Sequence, residues 1–215
     1  MIKLDLHTHS IASHDGGIKP EEYMEILEKG ILDYIAITDH NTIEVARNLH
    51  ASLGDHIIIG EEIMSNQGEL IGLFLTEVVK PGMTALATAR AITDQGGLVY
   101  IPHPFETVRK GLSREVMDLL IKEVDIVEIH NARALFQNRG PEATTWARLA
   151  DKRVAASSDA HGKRGLGTSY TNIQKAPTAK NLLGQLRTAH LAVERPPYHS
   201  LLYPKYHRIR KKLAR

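Results

Sequence analysis

The chain contains no cysteine among its 215 residues. That excludes disulfide frameworks, thiolate zinc sites and cysteine nucleophiles together. Aromatic residues are also scarce. Only Tyr198, Tyr203 and Tyr206 fall close together, so little is available to build a stacking platform for nucleobases. No stretch approaches the ~20 consecutive apolar residues of a membrane span. The N-terminal residues lead straight into "IKLDL" without a signal-peptide pattern. The expectation is a soluble, cytoplasmic protein with no membrane partner. A body of this size needs neither a disulfide nor a structural metal to be stable.

Acidic residues are missing from one place in particular. The last eleven residues, "KYHRIRKKLAR", hold six Lys or Arg and no acid, whereas the rest carries 21 basic against 25 acidic. The expected organisation is one domain over residues 1–195 followed by a basic tail over 196–215. Such a tail suits contact with nucleic acid or a membrane surface. It equally suits a solvated final helix with cations at its C-terminal end.

Short apolar runs alternate with longer amphipathic ones. The runs at 2–6, 33–38, 56–60, 69–75, 98–101, 125–129, 154–158 and 169–173 read as strands. "PEEYMEILEKG" places Pro20 at a helix start and Gly30 at its end. "TIEVARNLHASLG", "TALATARAITDQGG", "SREVMDLLIKE", "NRGPEATTWARLADK" and "TAKNLLGQLRTAH" complete the helices, with Ser113 a natural N-cap. "RPPYHSLLYPKY" reads as loop. This alternation predicts an α/β fold with a largely parallel sheet. "IIIGEE" followed closely by "GELIGLFL" departs from the pattern and predicts two strands joined by a short turn around "SNQG". Periodicity leaves a closed barrel and an open doubly wound sheet equally available.

What is abundant is histidine, at twelve residues, and its placement is the informative part. Strand ends lead into His7 and His9, into Asp39 and His40, into Glu61 and Glu62, into His103, into His130 and Asn131, and into Asp159 and His161. In α/β folds, the carboxyl ends of strands converge on one ligand-binding face. His7 and His9, two apart, can present both imidazoles on the same side. A mixed imidazole–carboxylate set suits a hydrolytic centre whose ions sit ~3.5–4 Å apart and share bridging carboxylates. Gathering so many ionisable groups without a metal is costly. A lone Asp after a strand, such as Asp39, also serves as a helix N-cap. His50, His56, His190, His199 and His207 lie on helices or in the tail and read as ordinary histidines.

The motifs "DLHTHS…HDGG", "ITDHNT", "GEEI", "IPHPF", "VEIHNAR" and "SSDAHG", in this order, resemble the PHP (polymerase and histidinol phosphatase) superfamily. They span residues 5–162, and the flavour is that of small stand-alone, TrpH-like, metal-dependent phosphoesterases. The resemblance implies a distorted (β/α)7 barrel with two or three divalent ions (Mn, Zn or Fe) at the strand C-termini. It implies that His7, His9, Glu62 and Asp159 share one ion, that Asp15, His40 and His161 hold a second, and that Glu62 reaches a third position with His103. Asp39 is expected to orient a ligating histidine, and Asp5 to steady the site from below. Glu61 is expected to be a neighbour only. Family members with a full third site usually carry a histidine near "ELIGLFL"; here Glu69 is the only ligand type close by. His130 is not expected to ligate.

The activity implied is hydrolysis of phosphoesters by metal-activated water, on a small phosphorylated substrate such as a nucleotide or short oligonucleotide. A histidinol-phosphate-type phosphatase and a non-catalytic PHP accessory module are the alternatives. Arg109 and Arg133, after strand ends, are candidates for holding phosphate, with solvent-facing charge as the competing role. Lys163 and Arg164 are weaker candidates.

Overall fold

The computed structural model describes residues 1–134 and 137–213. Among these residues, nine strands form one sheet: β1 (Ile2–Asp5), β2 (Tyr34–Ile37), β3 (Ile57–Ser65), β4 (Gly68–Leu73), β5 (Leu98–Ile101), β6 (Ile126–Asn131), β7 (Arg153–Ser157), β8 (Ser169–Ile173) and β9 (His190–Val193). The helices are α1 (Pro20–Glu28), α2 (Glu44–Leu53), α3 (Ala85–Thr93), α4 (Arg114–Leu119), α5 (Gly140–Leu149), α6 (Leu182–Leu186) and α7 (Tyr203–Leu213). The strand order is β7-β6-β5-β4-β3-β2-β1-β8-β9. β1, β2 and β3 are parallel, as are β5, β6 and β7, while β4 runs antiparallel to both its neighbours.

The sheet curls until its ends nearly meet. β8 lies antiparallel to β1 and beside β7. There the buried Thr171 hydroxyl accepts from Ala156 N and donates to Ala156 O, both at 3.0 Å. Higher up, Asp5 accepts from Ser158 N at 3.1 Å and Ser158 Oγ at 2.5 Å, and His9 N donates to Ala160 O at 2.8 Å. The expected barrel is therefore present, but not as seven regular βα units. Six co-directional strands carry it, with β4 folded in as half of a hairpin and β8 as the closing strand.

Leu4, Leu6, Ile71, Leu73, Tyr100 and Ile126 fill the barrel interior. A second apolar layer packs α3, α4 and α5 on the outside, and a third packs α1 and α2. Strands covered on both faces lose polar alternation, which is why "LVYI" is buried at all four positions. α1 starts at Pro20 as expected, with the Glu22 carboxylate accepting from Lys19 N at 2.9 Å. Ser113 caps α4, its hydroxyl accepting from Val116 N. Among the described residues no helix is long and apolar enough to cross a membrane.

Two stretches differ from their sequence reading. The helix expected up to His190 stops at Leu186, and His190–Val193 pairs with β8 as an edge strand. Four residues are too short a run to show a period of two against a preceding amphipathic pattern. The tail is neither loop nor free helix. A 3-10 turn (Tyr198–Leu202) leads into α7, which lies against the body: Lys211 Nζ donates to the carbonyls of Ile11 and Gly16, each at 2.8 Å, and to that of Ser13.

Thr171→Val keeps the shape but leaves Ala156 N and O buried without partners on that side. It is expected to cost about 1–3 kcal/mol in urea unfolding, with an unchanged denaturant slope.

Candidate metal centre

The strand ends continue past the sheet as isolated bridges, and these set the site. Thr8 pairs with Ala160 and His40 with Glu62. Asn41 N donates to Glu62 O, and Glu62 N to Asp39 O. So the residues after β1, β2 and β7 and the middle of β3 are brought within reach of one another by backbone pairing. His103 and Asp159 sit at positive φ, +29° and +51°. For non-glycine residues this is strained, and it turns both side chains inward over the barrel mouth.

His7, His9, Asp15, Glu62, His103, Asp159 and His161 are all buried, and His40 nearly so. The Glu62 carboxylate lies among four imidazoles: His9 Nε2 at 3.1 Å, His103 Nε2 at 3.1 Å, His40 Nδ1 at 3.4 Å and His7 Nε2 at 3.5 Å. Asp159 Oδ1 is 3.5 Å from both His7 Nε2 and His9 Nε2. Asp15 Oδ1 is 3.6 Å from His40 Nε2 and 3.5 Å from His161 Nε2. Ligand atoms ~2.0–2.1 Å from an ion in tetrahedral array stand roughly 3.3–3.4 Å apart. The spacing here is that of polyhedron edges. Four overlapping groups bring one donor atom from each residue within 4.8 Å of the others: His7, His9 and Asp159; His9, Asp15, His40 and His161; His7, Glu62 and His103; and His40, Glu62 and Glu69.

The electrostatics point the same way. Burial opposes charge on His9, yet Asp159 and Glu62 outweigh it and push the imidazole up to about 10. Burial also opposes ionisation of Glu62, but His40 and His7 hold it well below its ordinary value. His161 is instead pushed down to about 3 by burial and by the charges of Arg133 and His9. Burial, with Glu62 beside it, lifts Glu69 to about 9. Divalent cations bound through the imidazole lone pairs would neutralise these carboxylates in place of protons on the rings.

Polar groups behind the donors fix their aim. His7 Nδ1 donates to Glu128 Oε1 at 3.1 Å, which leaves its Nε2 lone pair facing the cluster. Glu128 also accepts from Tyr100 Oη, His103 N and Asn131 Nδ2. A bulge between Glu128 and His130 resets the alternation, so Glu128 and Asn131, three apart, face the same centre. His130, expected not to ligate, belongs to none of these donor groups. Glu128 and Asn131 stand at a strand end in the sequence, but the "VEIHN" stretch assigns neither a role, because the bulge that aligns the two cannot be read from it.

Other assignments need correction. Asp39 contacts no imidazole: it accepts from Ser10 N at 2.6 Å and Ser10 Oγ at 2.5 Å, bracing the "HTHS" backbone. Nor is it an N-cap, because α2 begins at Glu44. Asp5 ties the first strand end to the last and carries a carboxyl pushed up to about 7 by burial. Arg109, a candidate for phosphate, is largely committed to protein: Nε and Nη2 to Glu106, and Nη1 to Asn131 and Asp159. Arg133 is freer, with Nη1 on Asp159 Oδ2 at 3.1 Å and a buried Nε that has no partner among the described residues. Lys163 pairs with Glu25 on α1, and Arg164 with His199, away from the cluster. Both Arg109 and Arg133 line a cavity of about 210 Å³ over the donors, together with Lys110, Pro204 and Arg208. A larger groove of about 610 Å³ adjoins it, sharing Met64 and Lys110.

Residues 141–190 match a family model described as PHP-associated. The chain is 35% identical over 144 residues to the uncharacterized protein MJ1587 of Methanocaldococcus jannaschii, covering 61% of this chain and 82% of that protein. It is 33% identical over 175 residues to MJ0417 of the same organism, covering 79% of this chain and 69% of that protein. Among solved structures, it resembles a two-domain protein from Bacteroides vulgatus described as containing a predicted PHP-like metal-dependent phosphoesterase. That likeness has a TM-score of 0.73 at 18% identity, over 96% of this chain and 69% of the other. It also resembles the lesion-specific endonuclease PfuEndoQ of Pyrococcus furiosus, with a TM-score of 0.64 at 14% identity over 88% of this chain and 57% of the other. The match at residues 141–190 and the PHP-like fold of the structural neighbours support a PHP-superfamily protein.

Glu62→Gln is expected to reduce the number of tightly held divalent ions by at least one per chain, measured by elemental analysis after dialysis. Glu61, on the opposite face, accepts from Val79 N at 2.8 Å, and burial lifts its carboxyl to about 7. A raised carboxyl means that the folded state holds the proton more tightly than the unfolded one. Its contribution is then full below the unfolded value near 4.5 and lost as pH rises through about 7. Glu61→Gln is expected to flatten the fall in melting temperature between pH 5 and pH 8; an unaltered slope would place the titration elsewhere.

Proposed function

We propose that the chain is a metal-dependent hydrolase of phosphoesters, of the TrpH-like kind, acting on nucleotides or short oligonucleotides. The observation that carries the reading is Glu62: one carboxylate at 3.1–3.5 Å from four imidazoles, shared by two of the overlapping donor groups. In this reading His7, His9, Glu62 and Asp159 hold one ion, and Asp15, His40 and His161 a second. His103 and Glu69 flank a third position beside Glu62, with Glu69 in the place of the missing histidine. Bound there, Mn, Zn or Fe ions would supply Lewis acidity at phosphoryl oxygens and lower the pKa of water to the range where hydroxide forms at neutral pH.

The chain's own residues do the rest. Glu128 fixes the ring of His7, and Asn131 and Arg109 hold the outer oxygen of Asp159 so that Oδ1 faces the imidazoles. Arg133 stands at the cavity wall with donors to spare and is the residue to hold a phosphoryl oxygen. No side-chain nucleophile is required, in keeping with the absence of cysteine. The cationic wall made by Lys110, Arg133 and Arg208 favours an anionic substrate and disfavours the ammonium group of histidinol phosphate. The full donor set argues against a non-catalytic accessory module.

Purified protein supplied with Mn is expected to hydrolyse at least one member of a panel of mononucleotides, dinucleotides and p-nitrophenyl esters. Chelator should abolish turnover and added metal restore it. Metal-loaded protein that turns over no phosphoester would refute the assignment.

A further inference from the structure

Helix α7 is seated by one side and bare on the other. The Tyr203 ring covers Gly162 and the His207 ring covers Gly17, where a Cβ would come within 2.4 Å and 2.1 Å of them, so glycine at both places lets the helix approach closely. Pro204 is buried, and Lys211 Nζ donates to the carbonyls of Ile11, Ser13 and Gly16. At about 3.6 residues per turn these four positions share roughly 100° of the helix surface.

The opposite side is apolar. Leu202, at the end of the turn that leads into α7, and Tyr206, Ile209 and Leu213 follow the spacing i, i+4, i+7, i+11 and so form one stripe. Each is between 51% and 83% exposed. Lys205 and Lys212 border the stripe on one side and Arg210 on the other, all three exposed, and the helix carries no acid. The stripe takes no part in seating the helix, and an exposed apolar patch rimmed by cations marks a docking surface.

Its occupant must be apolar at the centre and anionic around it. Nucleic acid would meet the cations and leave Leu202, Ile209 and Leu213 in water. A second α7 would bring Lys205, Arg210 and Lys212 against cations of their own kind. A coiled-coil partner needs about three or more heptads of seam, and residues 202–213 span fewer than two. A bilayer with anionic lipids meets both needs: aliphatic and tyrosine side chains enter the headgroup boundary, while the stems of Lys and Arg reach out to phosphates. We infer that α7 docks the protein on anionic membrane surfaces, lying along them with Leu202, Tyr206, Ile209 and Leu213 inserted and Lys205, Arg210 and Lys212 on lipid phosphates. The expectation of no membrane partner rests on the absence of a spanning run, which bears on crossing a bilayer and not on lying against one. Arg208, on the flank of the same helix, forms part of the cavity wall, so docking holds the cavity beside the headgroup layer. The docking stands whether or not the cavity turns over phosphoesters.

The test is co-sedimentation of the whole chain with two kinds of vesicle, without added divalent ions that could bridge protein to lipid. One is phosphatidylcholine alone; the other contains about one third phosphatidylglycerol. The wild type is expected to bind the anionic vesicles about tenfold or more tightly than the neutral ones. The double variant Ile209→Ser, Leu213→Ser keeps every charge and should lose about tenfold or more of that affinity. The double variant Lys205→Gln, Lys212→Gln keeps the stripe and should lose most of the preference for anionic lipid. All four side chains are exposed, and circular dichroism confirms that the variants fold. A wild type indifferent to phosphatidylglycerol would overturn the inference. So would vesicle binding that survives the serine substitutions, because charge alone would then account for it. Sedimentation velocity covers the remaining occupant: an oligomer that the serine substitutions dissociate, with vesicle binding unchanged, would give the stripe to a second copy of the chain.

Discussion

One buried carboxylate organises the upper half of the molecule. Glu62 faces four imidazoles, and every element that approaches it brings either another donor or a group that holds a donor still. In a low-dielectric interior such a gathering is unstable unless charges are matched and rings are fixed in one orientation. Much of the local structure reads as the answer to that demand. Glu128 fixes His7, Arg109 and Asn131 draw off the outer oxygen of Asp159, and Ser10 occupies Asp39. The strained backbone at His103 and Asp159 serves the same end.

The barrel below gives these groups a rigid base. Its interior is apolar up to Tyr100, whose hydroxyl bonds to both Glu128 and Ser157 at 2.8 Å. Tyr100 is thus the point where core becomes site: its ring packs with Leu4 and Ile126, and its oxygen joins the polar network. The β3–β4 hairpin interrupts the parallel order. By doing so it runs Glu69 alongside Met64, within reach of His40 and His103, where a regular βα unit would have placed a helix.

The donors themselves were legible in the sequence because each follows an apolar run, and strand ends in α/β folds share a face. His7, His9, His40, Glu62, His103, Asp159 and His161 all obey that rule, and the structure gathers them. Asp15 was legible only through family resemblance, since it lies in a loop. What sequence did not show depends on tertiary geometry. The parity of Glu128 and Asn131 turns on a bulge with no residue signature. Arg109 looked available because its acceptors, Glu106, Asn131 and Asp159, come from three separate segments. The four-residue edge strand β9 was hidden behind a helical pattern. For α7, charge was visible but its seat was not, because the glycines that admit it lie nearly two hundred and about forty residues upstream.

The stitch between the first and last barrel strands has a consequence for how the protein matures. His7 and His9 come from the start of the chain, and Asp159, which shares their donor group, from about 150 residues later. That donor group is incomplete until the two ends of the barrel meet, whereas His7, Glu62 and His103, and His40, Glu62 and Glu69, all come from the first 103 residues. On the proposed reading, an ion held by His7, His9 and Asp159 would be bound only by the closed ring and would draw the equilibrium towards that form. This donor group and the Asp5–Ser158 contact span the same seam, one at the polar mouth and one just beneath it.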